Sequence, residues 1–254
     1  MGKSRLLGDF ALRLGIPLLG ARPGDERVPY ALLARLLRAL IAPSGTWPST
    51  SLDGQVRAEL ARVLPELGAA PPVALNEARF RQAVVQALTS GRDPSISGVA
   101  LDDLHYADSA SLELLPSLVS SGLRYVLAVR SAEVPAALAA WQRDEAGVVL
   151  VHVALPPLAE ADIRRLIETL ALEGLDAATL AGPLASHTGG NPYFVLETLA
   201  ALTMQPDASA ATLPAAPTVA ALIERRRAQH GAAALRLVGV AALAGADCSA
   251  ALAA

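Results

Sequence analysis

The sequence has little cysteine, few aromatic residues and no long apolar run. Its single cysteine, Cys248, excludes an internal disulfide and a cysteine-rich zinc site. No apolar run reaches the roughly 20 residues that a membrane-spanning helix needs. Charged residues at positions 3, 5 and 9 leave no room for the apolar core of a signal peptide. These absences predict a cytoplasmic protein that makes no contact with a membrane.

Basic residues are not in excess either. The formal net charge is −3, with 21 Lys and Arg against 24 Asp and Glu. The totals therefore lack the basic surface that binds a nucleic-acid backbone. The three arginines at 225–227 are the local exception, and with Glu224 beside them they indicate a solvated helix face rather than a nucleic-acid contact. We expect no direct nucleic-acid binding by this segment.

Hydrophobic residues make up 53% of the chain, mostly Ala and Leu, which is enough for a sizeable core. Up to about residue 155, short apolar runs typical of buried strands alternate with helical periodicities. The strand candidates are residues 16–19, ISGVALDD at 96–103, RYVLAVR at 124–130 and GVVLVHVAL at 147–155. Helices are predicted over 4–14, 28–41, 54–67 and 75–89, and from about 109. Strands separated by helices predict an α/β fold with a parallel sheet and helices on both of its faces.

Beyond Pro156 the patterns are helical only. One helix contains the periodic residues 163–170, with Gly174 as its expected C-cap. Further helices are predicted over 176–186, 191–203, 217–229 and 232–244. A stretch rich in Pro, Ala, Ser and Thr separates the last two from the others. The predicted domains are an α/β core over 1–155, a helical region over 156–204, a linker over 205–217 and a second helical domain over 218–254.

Two carboxylates, Asp102 and Asp103, end the strand candidate ISGVALDD. Open parallel sheets bind ligands at the carboxyl ends of their strands. There, one carboxylate can hold Mg²⁺ and a second can orient an attacking water. The pair can equally do no more than end the strand and cap the next helix, and these residues alone leave both interpretations open.

The chain opens with MGKSRLL, in which Gly2-Lys3-Ser4 has the form of the end of a phosphate-binding loop, G-x-x-x-x-G-K-[ST]. A helical pattern follows at once, as it does after such a loop. The loop holds phosphate through consecutive backbone N–H groups backed by a helix N-terminus. A lone G-K-S is nevertheless common by chance, so this motif needs support from elsewhere in the chain.

Three stretches occur in the same order as in one group of P-loop ATPases: GKSRLL at 2–7, VALDDLHYAD at 99–108 and LASHTGGNPYFVLE at 184–197. On these stretches the chain resembles the AAA-type, Orc1-like ATPase modules of the STAND class, which occur in bacterial regulators of the MalT and LuxR kind. The resemblance covers almost the whole chain. It implies a P-loop core, a helical lid over 156–204 and the start of a winged-helix-like domain over 218–254.

The resemblance also implies a role for each matching residue. Lys3 would reach the β- and γ-phosphates of ATP, and Ser4 would ligate Mg²⁺. Asp102 would be the second metal ligand and Asp103 the residue that polarises water. Arg130 would sense the γ-phosphate, for which a permanently charged fork of donors is suited. The alternative for Arg130 is an arginine that only forms a surface ion pair.

The remaining candidate nucleotide contacts are Gly2, Arg5 and Pro192. Pro192, in the GGNP motif, matches the lid position that packs against adenine. His105 and Tyr106 stand where the family has His-Trp, and we expect them to pack against the sheet edge rather than to act as a base or a metal ligand.

The implied function is an ATP-binding switch module of a signal-transducing or transcriptional regulator, with ATP and Mg²⁺ as cofactors and slow turnover. Its other partners would be further domains of the regulator or separate proteins. Two alternatives stay open. One is a non-enzymatic remnant that acts through protein contacts, and the other is a P-loop phosphotransferase, which shares G-K-S and a strand-end Asp but lacks GGNP.

The first half of the phosphate loop and the strand leading into it would precede residue 1. In this class that strand lies centrally, between the strands at 124–130 and 147–155, and the chain ends in ADCSAALAA within an unfinished helical domain. We therefore expect these 254 residues to be a fragment of a longer regulator that binds ATP weakly or not at all.

Overall fold

The computed structural model describes residues 2–42, 47, 52–143, 151–172, 174–203, 231, 234–237 and 239. The chain divides into two compact units, Gly2–Ala154 and Leu155–Ala254. Within the described ranges, no helix is long and apolar enough to cross a membrane. The predicted linker at 205–217 and the predicted helix at 217–229 lie outside the described residues. Of the predicted helix at 232–244, residues 234–237 and 239 are described and are helical.

In the first unit, one or more helices separate successive strands along the chain. The helices are α1 (Lys3–Leu14), α2 (Ala31–Ile41), α3 (Gly54–Leu60), α4 (Glu77–Ser90), α5 (Ser109–Leu118) and α6 (Ala136–Arg143). The strands are β1 (Leu18–Gly20), β2 (Gly98–Asp102) and β3 (Arg124–Leu127). All three strands are parallel, in the order β1-β2-β3, with Ala100 paired to Leu18 on one side and to Val126 on the other. The predicted α/β fold with a parallel sheet is confirmed.

Helices cover both faces of this sheet. Val99 and Leu101 of β2 belong to the main core, to which α2, α3, α4 and α5 contribute most of the side chains. Ala100 lies on the opposite face, where it packs with Leu7 and Ala11 of α1. Because successive strand side chains point to opposite faces, Asp102 is on the same face as Ala100 and α1. The small side chain at 100 lets α1 lie close to the strand.

The predicted strand over 147–155 is wrong in its described part. Residues 151–155 form no strand, and Val151 is 82% exposed. Residues 147–150 lie outside the described residues. A strand is stable only when its N–H and C=O groups pair with a neighbour, and among the described strands β3 pairs on one side only, with β2. The apolar run indicated burial, but pairing decides whether it becomes a strand.

The bounds of other helices and strands also differ from the predicted ones. β3 ends at Leu127, so the residues at 128–130 continue beyond the strand. The helix predicted over 54–67 ends at Leu60, and a short 3-10 turn, Pro65–Leu67, follows it. Helix α6 was not predicted.

Among its described residues up to 203, the second unit contains the helices α7 (Glu160–Leu170), α8 (Ala177–Thr188) and α9 (Pro192–Thr203). Their core consists of the buried side chains of Ile163, Ile167, Leu180, Ala181, Leu184, Val195, Leu199 and Leu202. The prediction of Gly174 as the C-cap of α7 is wrong, because Ala171, at φ 47°, is the C-cap of this helix. Leu172 and Leu175 pack against the core, which requires the chain to turn before Gly174.

The GGNP motif forms the turn between α8 and α9. Gly189 and Gly190 both have positive φ, 59° and 68°. The Leu158 N–H donates to the Gly190 carbonyl at 2.8 Å, and a Cβ at position 190 would collide with the Leu158 backbone. Asn191 then caps α9 by accepting a hydrogen bond from the Tyr193 N–H at 3.1 Å. A glycine at 190 is required by both its backbone conformation and this close approach.

One buried ion pair in the first unit gives a prediction about acid stability. Asp25 is buried and accepts hydrogen bonds from Arg35 Nη1 at 3.1 Å and from the Arg22 N–H at 2.7 Å. Burial raises the pKa of the Asp25 carboxyl, but these hydrogen bonds and the charge of Arg35 outweigh burial and hold it below its ordinary value. A lowered folded-state pKa stabilises the protein above the unfolded-state pKa, and this contribution is lost as pH falls through the folded-state pKa.

We therefore expect Asp25→Asn to lower the free energy of unfolding most at neutral pH. The difference from the wild type should shrink below about pH 4, where an unfolded aspartate becomes protonated. Urea unfolding followed by tryptophan fluorescence measures this, because Trp47 and Trp141 both belong to the first unit. A difference that stays constant across the pH series would contradict the prediction.

Candidate functional site

The N-terminus of α1 lies at the carboxyl edge of the sheet. Only the three residues 15–17 connect α1 to β1, so the helix runs back along the strands in the opposite direction. Leu7 contacts the cluster that contains Ala128, which follows the last residue of β3. Lys3 and Ser4 precede Leu7 by one turn, which places them at the end where Asp102 is located.

This helix end has the character of an anion site. Gly2 adopts a left-handed conformation with φ 80°, and no side chain caps α1. The first turn contains no acidic residue and begins with Lys3. The uncapped N–H groups and the positive end of the helix dipole favour a negatively charged ligand. Ser4 is exposed beside them.

Asp102 and Asp103 differ in conformation although they are adjacent. Asp102 is the last residue of β2, and its Oδ1 accepts a hydrogen bond from the Asp103 N–H at 2.8 Å. Asp103 has φ 51° and ψ 35°, a left-handed conformation that is uncommon for residues other than glycine and that Asp and Asn tolerate best. Strained backbone of this kind is concentrated at functional sites.

Asp102 and Asp103 do not cap the helix that follows them, which was the alternative interpretation of this pair. Helix α5 is capped by Asp108, whose carboxylate accepts a hydrogen bond from the Ser111 N–H at 2.8 Å. Asp103 precedes a short 3-10 turn, Leu104–Tyr106, without a side-chain cap. The carboxylates of Asp102 and Asp103 are therefore not used as caps of α5.

Arg130 follows β3 by three residues and is held near the end of β2. The Leu104 N–H donates to the Ala128 carbonyl at 3.3 Å, which joins the chain segments that leave the two strands. The Arg130 side chain is half-exposed, and its Nη1 lies 3.5 Å from both carboxylate oxygens of Glu133. The surface ion pair considered as an alternative for Arg130 is thus present, and it occupies the same guanidinium that would contact phosphate.

His105 lies between this ion pair and Asp103. Its side chain is 3% exposed, with Nδ1 3.9 Å from Asp103 Oδ1 and Nε2 3.8 Å from Glu133 Oε2. The imidazole also packs on the Tyr106 ring, with 4.0 Å between the ring centroids. Packing was expected of His105, but its position between two carboxylates was not. Glu133 was missed, although an acidic residue three positions after Arg130 was a signal for an ion pair.

The structure brings most of the predicted site residues to one edge of the first unit. These are Gly2, Lys3, Ser4, Asp102, Asp103 and Arg130. Arg5 is exposed and forms an ion pair with Asp9 along α1, with 3.0 Å between Nε and Oδ2. Pro192 is the first residue of α9 and belongs to the second unit.

The donor set at this edge fits Mg²⁺ carried by a nucleotide. In the part of the chain that the structure describes, no three His, Cys, Asp or Glu side chains are grouped to hold a metal ion. Mg²⁺ that arrives with a nucleotide needs only one or two oxygen ligands from protein, because phosphate and water supply the rest. The Asp102 carboxylate and the Ser4 hydroxyl are oxygen donors of this kind.

Comparison with known proteins identifies a matching family. No curated protein matches the chain. A family model for the AAA ATPase domain matches residues 1–129, just over half of the 254 residues. The matched range includes Gly2-Lys3-Ser4, Asp102-Asp103 and all three strands, and it ends one residue before Arg130. The chain therefore belongs to the AAA ATPase domain family, whose members are nucleotide-binding modules that generally bind ATP with Mg²⁺.

Proposed function

We propose that the chain is the ATP-binding switch module of a signal-transducing or transcriptional regulator, of the Orc1-like type in the STAND class. The observation that carries the proposal is that an uncapped, acid-free helix end and the two carboxylates that follow the apolar part of β2 lie at the same edge of the sheet. A nucleotide needs both features, since the helix end suits phosphate and the carboxylates suit Mg²⁺ and water. The family match supports this assignment.

Each site residue has a part in this proposal. Lys3 and the first N–H groups of α1 attract the β- and γ-phosphates. Ser4 and Asp102 hold Mg²⁺, which when bound neutralises phosphate charge. Asp103 orients the attacking water and accepts its proton, and Arg130 donates hydrogen bonds to γ-phosphate oxygens. Gly2 lets the chain enter the helix with positive φ. Arg5 follows at the rim of the site.

The domain assignment is also part of the proposal. We take residues 1–155 as the nucleotide-binding core, 156–204 as a helical lid, 205–217 as a linker and 218–254 as the start of a winged-helix-like domain. Pro192, half-buried at the start of α9, would contact adenine. The output of such a module is a nucleotide-dependent change that other domains or protein partners detect, so slow turnover suffices.

Replacement of Lys3 tests the phosphate site. Lys3→Ala is expected to weaken Mg-ATP binding about 10- to 100-fold, because a hydrogen bond to a charged group contributes about 1.5–3 kcal/mol. Lys3 is the cation in the first turn of this helix, and the measurement is designed to detect wild-type affinities down to the millimolar range. Ligand-observed NMR on ATP, supported by isothermal titration, covers that range of affinity.

The matched control is Arg13→Ala, which removes a positive charge from the last turn of the same helix. It should leave ATP binding unchanged. Equal losses in the two variants would mean that only the net charge matters, which contradicts the assigned role of Lys3. No binding by the wild type at millimolar ATP would contradict the ATP-binding function itself.

A second candidate function, a non-enzymatic module that acts through protein contacts, is supported by one surface. Leu6, Phe10 and Leu14 are exposed at i, i+4 and i+8 on α1, and so share a face of this helix. Exposed apolar stripes are common at protein interfaces. The ATP-binding measurement separates the two candidates, because a protein-contact module requires no response to Lys3→Ala.

A further inference from the structure

The side chain of His105 is buried, and its polar atoms are not satisfied by hydrogen bonds from the described residues. Its two ring nitrogens have no hydrogen-bond partner within the described part of the chain. A buried polar group left without a partner destabilises the folded protein. Each nitrogen nevertheless faces a carboxylate at a distance that a small side-chain rotation would close, 3.9 Å to Asp103 and 3.8 Å to Glu133. Both carboxylates are half-exposed and so have room to rotate.

Four charged or titratable side chains therefore stand in a row. The Arg130 guanidinium contacts the Glu133 carboxylate, Glu133 faces one side of the His105 ring, and Asp103 faces the other side. The row begins at the residue proposed to sense the γ-phosphate and ends at the residue proposed to orient water. Tyr106 packs against the ring from the side and fixes the plane in which its nitrogens point.

The chemistry of imidazole limits what this row can do. A neutral histidine has one N–H donor and one acceptor nitrogen. Both neighbours are carboxylates, which only accept hydrogen bonds when ionised. A neutral His105 can therefore donate to Asp103 from Nδ1 or to Glu133 from Nε2, but not to both at once. Because Arg130 pairs with Glu133, that carboxylate competes less strongly than Asp103 for the N–H of His105.

We propose that His105 is a positioning residue that links Arg130 to Asp103 through Glu133; this inference rests on the proposed function. Without nucleotide, Arg130 pairs with the Glu133 carboxylate, and His105 donates its Nδ1–H to Asp103. When Arg130 turns to a γ-phosphate, Glu133 loses its cation and competes for the N–H of His105. The ring then loses a proton from Nδ1 to water and gains one at Nε2 from water, so it stays neutral. Asp103 is released to orient the attacking water only when the γ-phosphate is in place.

The tautomer of His105 tests this proposal without any nucleotide. Nitrogen-15 NMR distinguishes protonated from unprotonated ring nitrogens, and the His105 signals are assigned by their absence from His105→Gln. At about pH 8 we expect the Nδ1–H form in the full chain. Arg130→Gln should raise the fraction of the Nε2–H form. The double variant Arg130→Gln with Glu133→Ala should restore Nδ1–H, because Asp103 is then the only competitor.

Arg130 and Glu133 are half-exposed, so we expect these variants to fold, which circular dichroism checks. The same tautomer in all three proteins would overturn the proposal, because a purely structural histidine does not respond to Arg130. Protonation of both nitrogens in the wild type would also overturn it, since an imidazolium serves both carboxylates at once.

Addition of Mg-ATP to the wild type separates the proposal from the function on which it rests. Saturating nucleotide should shift His105 in the same direction as Arg130→Gln. A response to Arg130→Gln without a response to Mg-ATP would support the coupling between Arg130 and His105 and contradict ATP sensing. A response to Mg-ATP without one to Arg130→Gln would contradict the coupling.

Discussion

Asp108→Ala is expected to lower the free energy of unfolding of the first unit by about 4 kcal/mol. The Asp108 carboxylate is 2% exposed and accepts four hydrogen bonds. Its Oδ1 accepts from the N–H groups of Tyr30 at 2.7 Å and Ser111 at 2.8 Å. Its Oδ2 accepts from the Leu32 N–H at 3.2 Å and from Ser111 Oγ at 2.8 Å. Alanine would leave all of these donors without an acceptor.

The expected loss is large because one side chain serves two helices. Asp108 is the N-cap of α5, and it also satisfies N–H groups at the start of α2, where Tyr30 at φ 64° has no cap of its own. Each buried donor left unpaired costs about 1–3 kcal/mol, and relaxation and water recover part of the sum. A loss of about 4 kcal/mol is a large fraction of the stability of a small domain.

Asp53→Ala is the matched control for Asp108→Ala. Asp53 is also an N-cap in the first unit, but it is exposed and accepts one hydrogen bond, from the Gln55 N–H at 2.7 Å. Its removal should cost about 1 kcal/mol, the usual value for an N-cap. Urea unfolding followed by tryptophan fluorescence reports on this unit for both variants. Similar losses in the two would show that Asp108 acts only as an ordinary cap of α5.

Asp103→Asn is expected to lower the rate of ATP hydrolysis by about 10²- to 10⁴-fold, the range that a positioned general base contributes. The amide has the shape of the carboxylate but cannot accept a proton from the attacking water. Asparagine also tolerates the left-handed conformation that Asp103 adopts at φ 51°. This variant therefore changes the chemistry and keeps the backbone, whereas alanine would add strain.

The measurement is phosphate release at a Mg-ATP concentration below saturation, where the rate is proportional to kcat/KM. ATP binding should be retained, in contrast to Lys3→Ala. Asp9→Asn is the control, because Asp9 is an exposed carboxylate of the same unit that pairs with Arg5. A wild-type rate in Asp103→Asn would remove Asp103 from its proposed role. Loss of binding instead of turnover would assign it to nucleotide affinity.

The elements that the sequence predicts well are those with a strong local signal. Leucines at helical spacing predict α2, and the structure buries Leu32, Leu33, Leu36, Leu37 and Leu40. The apolar run before Asp102 predicts β2, the strand that lies between the other two. Helices are predicted over 176–186 and 191–203, and the structure has α8 and α9 there, with Gly189 and Gly190 at positive φ between them. In each case the residue type itself limits what the backbone can do.

The errors share a different cause. Residues 151–155 have the composition of a strand, yet none forms in the described residues, because a strand depends on a neighbour that composition does not reveal. Gly174 has the conformational freedom of a C-cap, but α7 ends at Leu170 with Ala171 as its C-cap, because Leu172 and Leu175 pack on the core. Local propensity indicates what a residue permits, and packing selects among the permitted outcomes.

The sequence by itself determined the class of fold and the residue types of the candidate site, since hydrophobic periodicity and the order of G-K-S, D-D and GGNP are local properties of the chain. Only the tertiary structure decided how those residues are connected. It put the Asp108 carboxylate on an N–H group of Tyr30, 78 residues away, and His105 between Asp103 and Glu133. Such contacts depend on how the strands and helices pack, because their partners are distant in sequence and become neighbours only when the sheet forms.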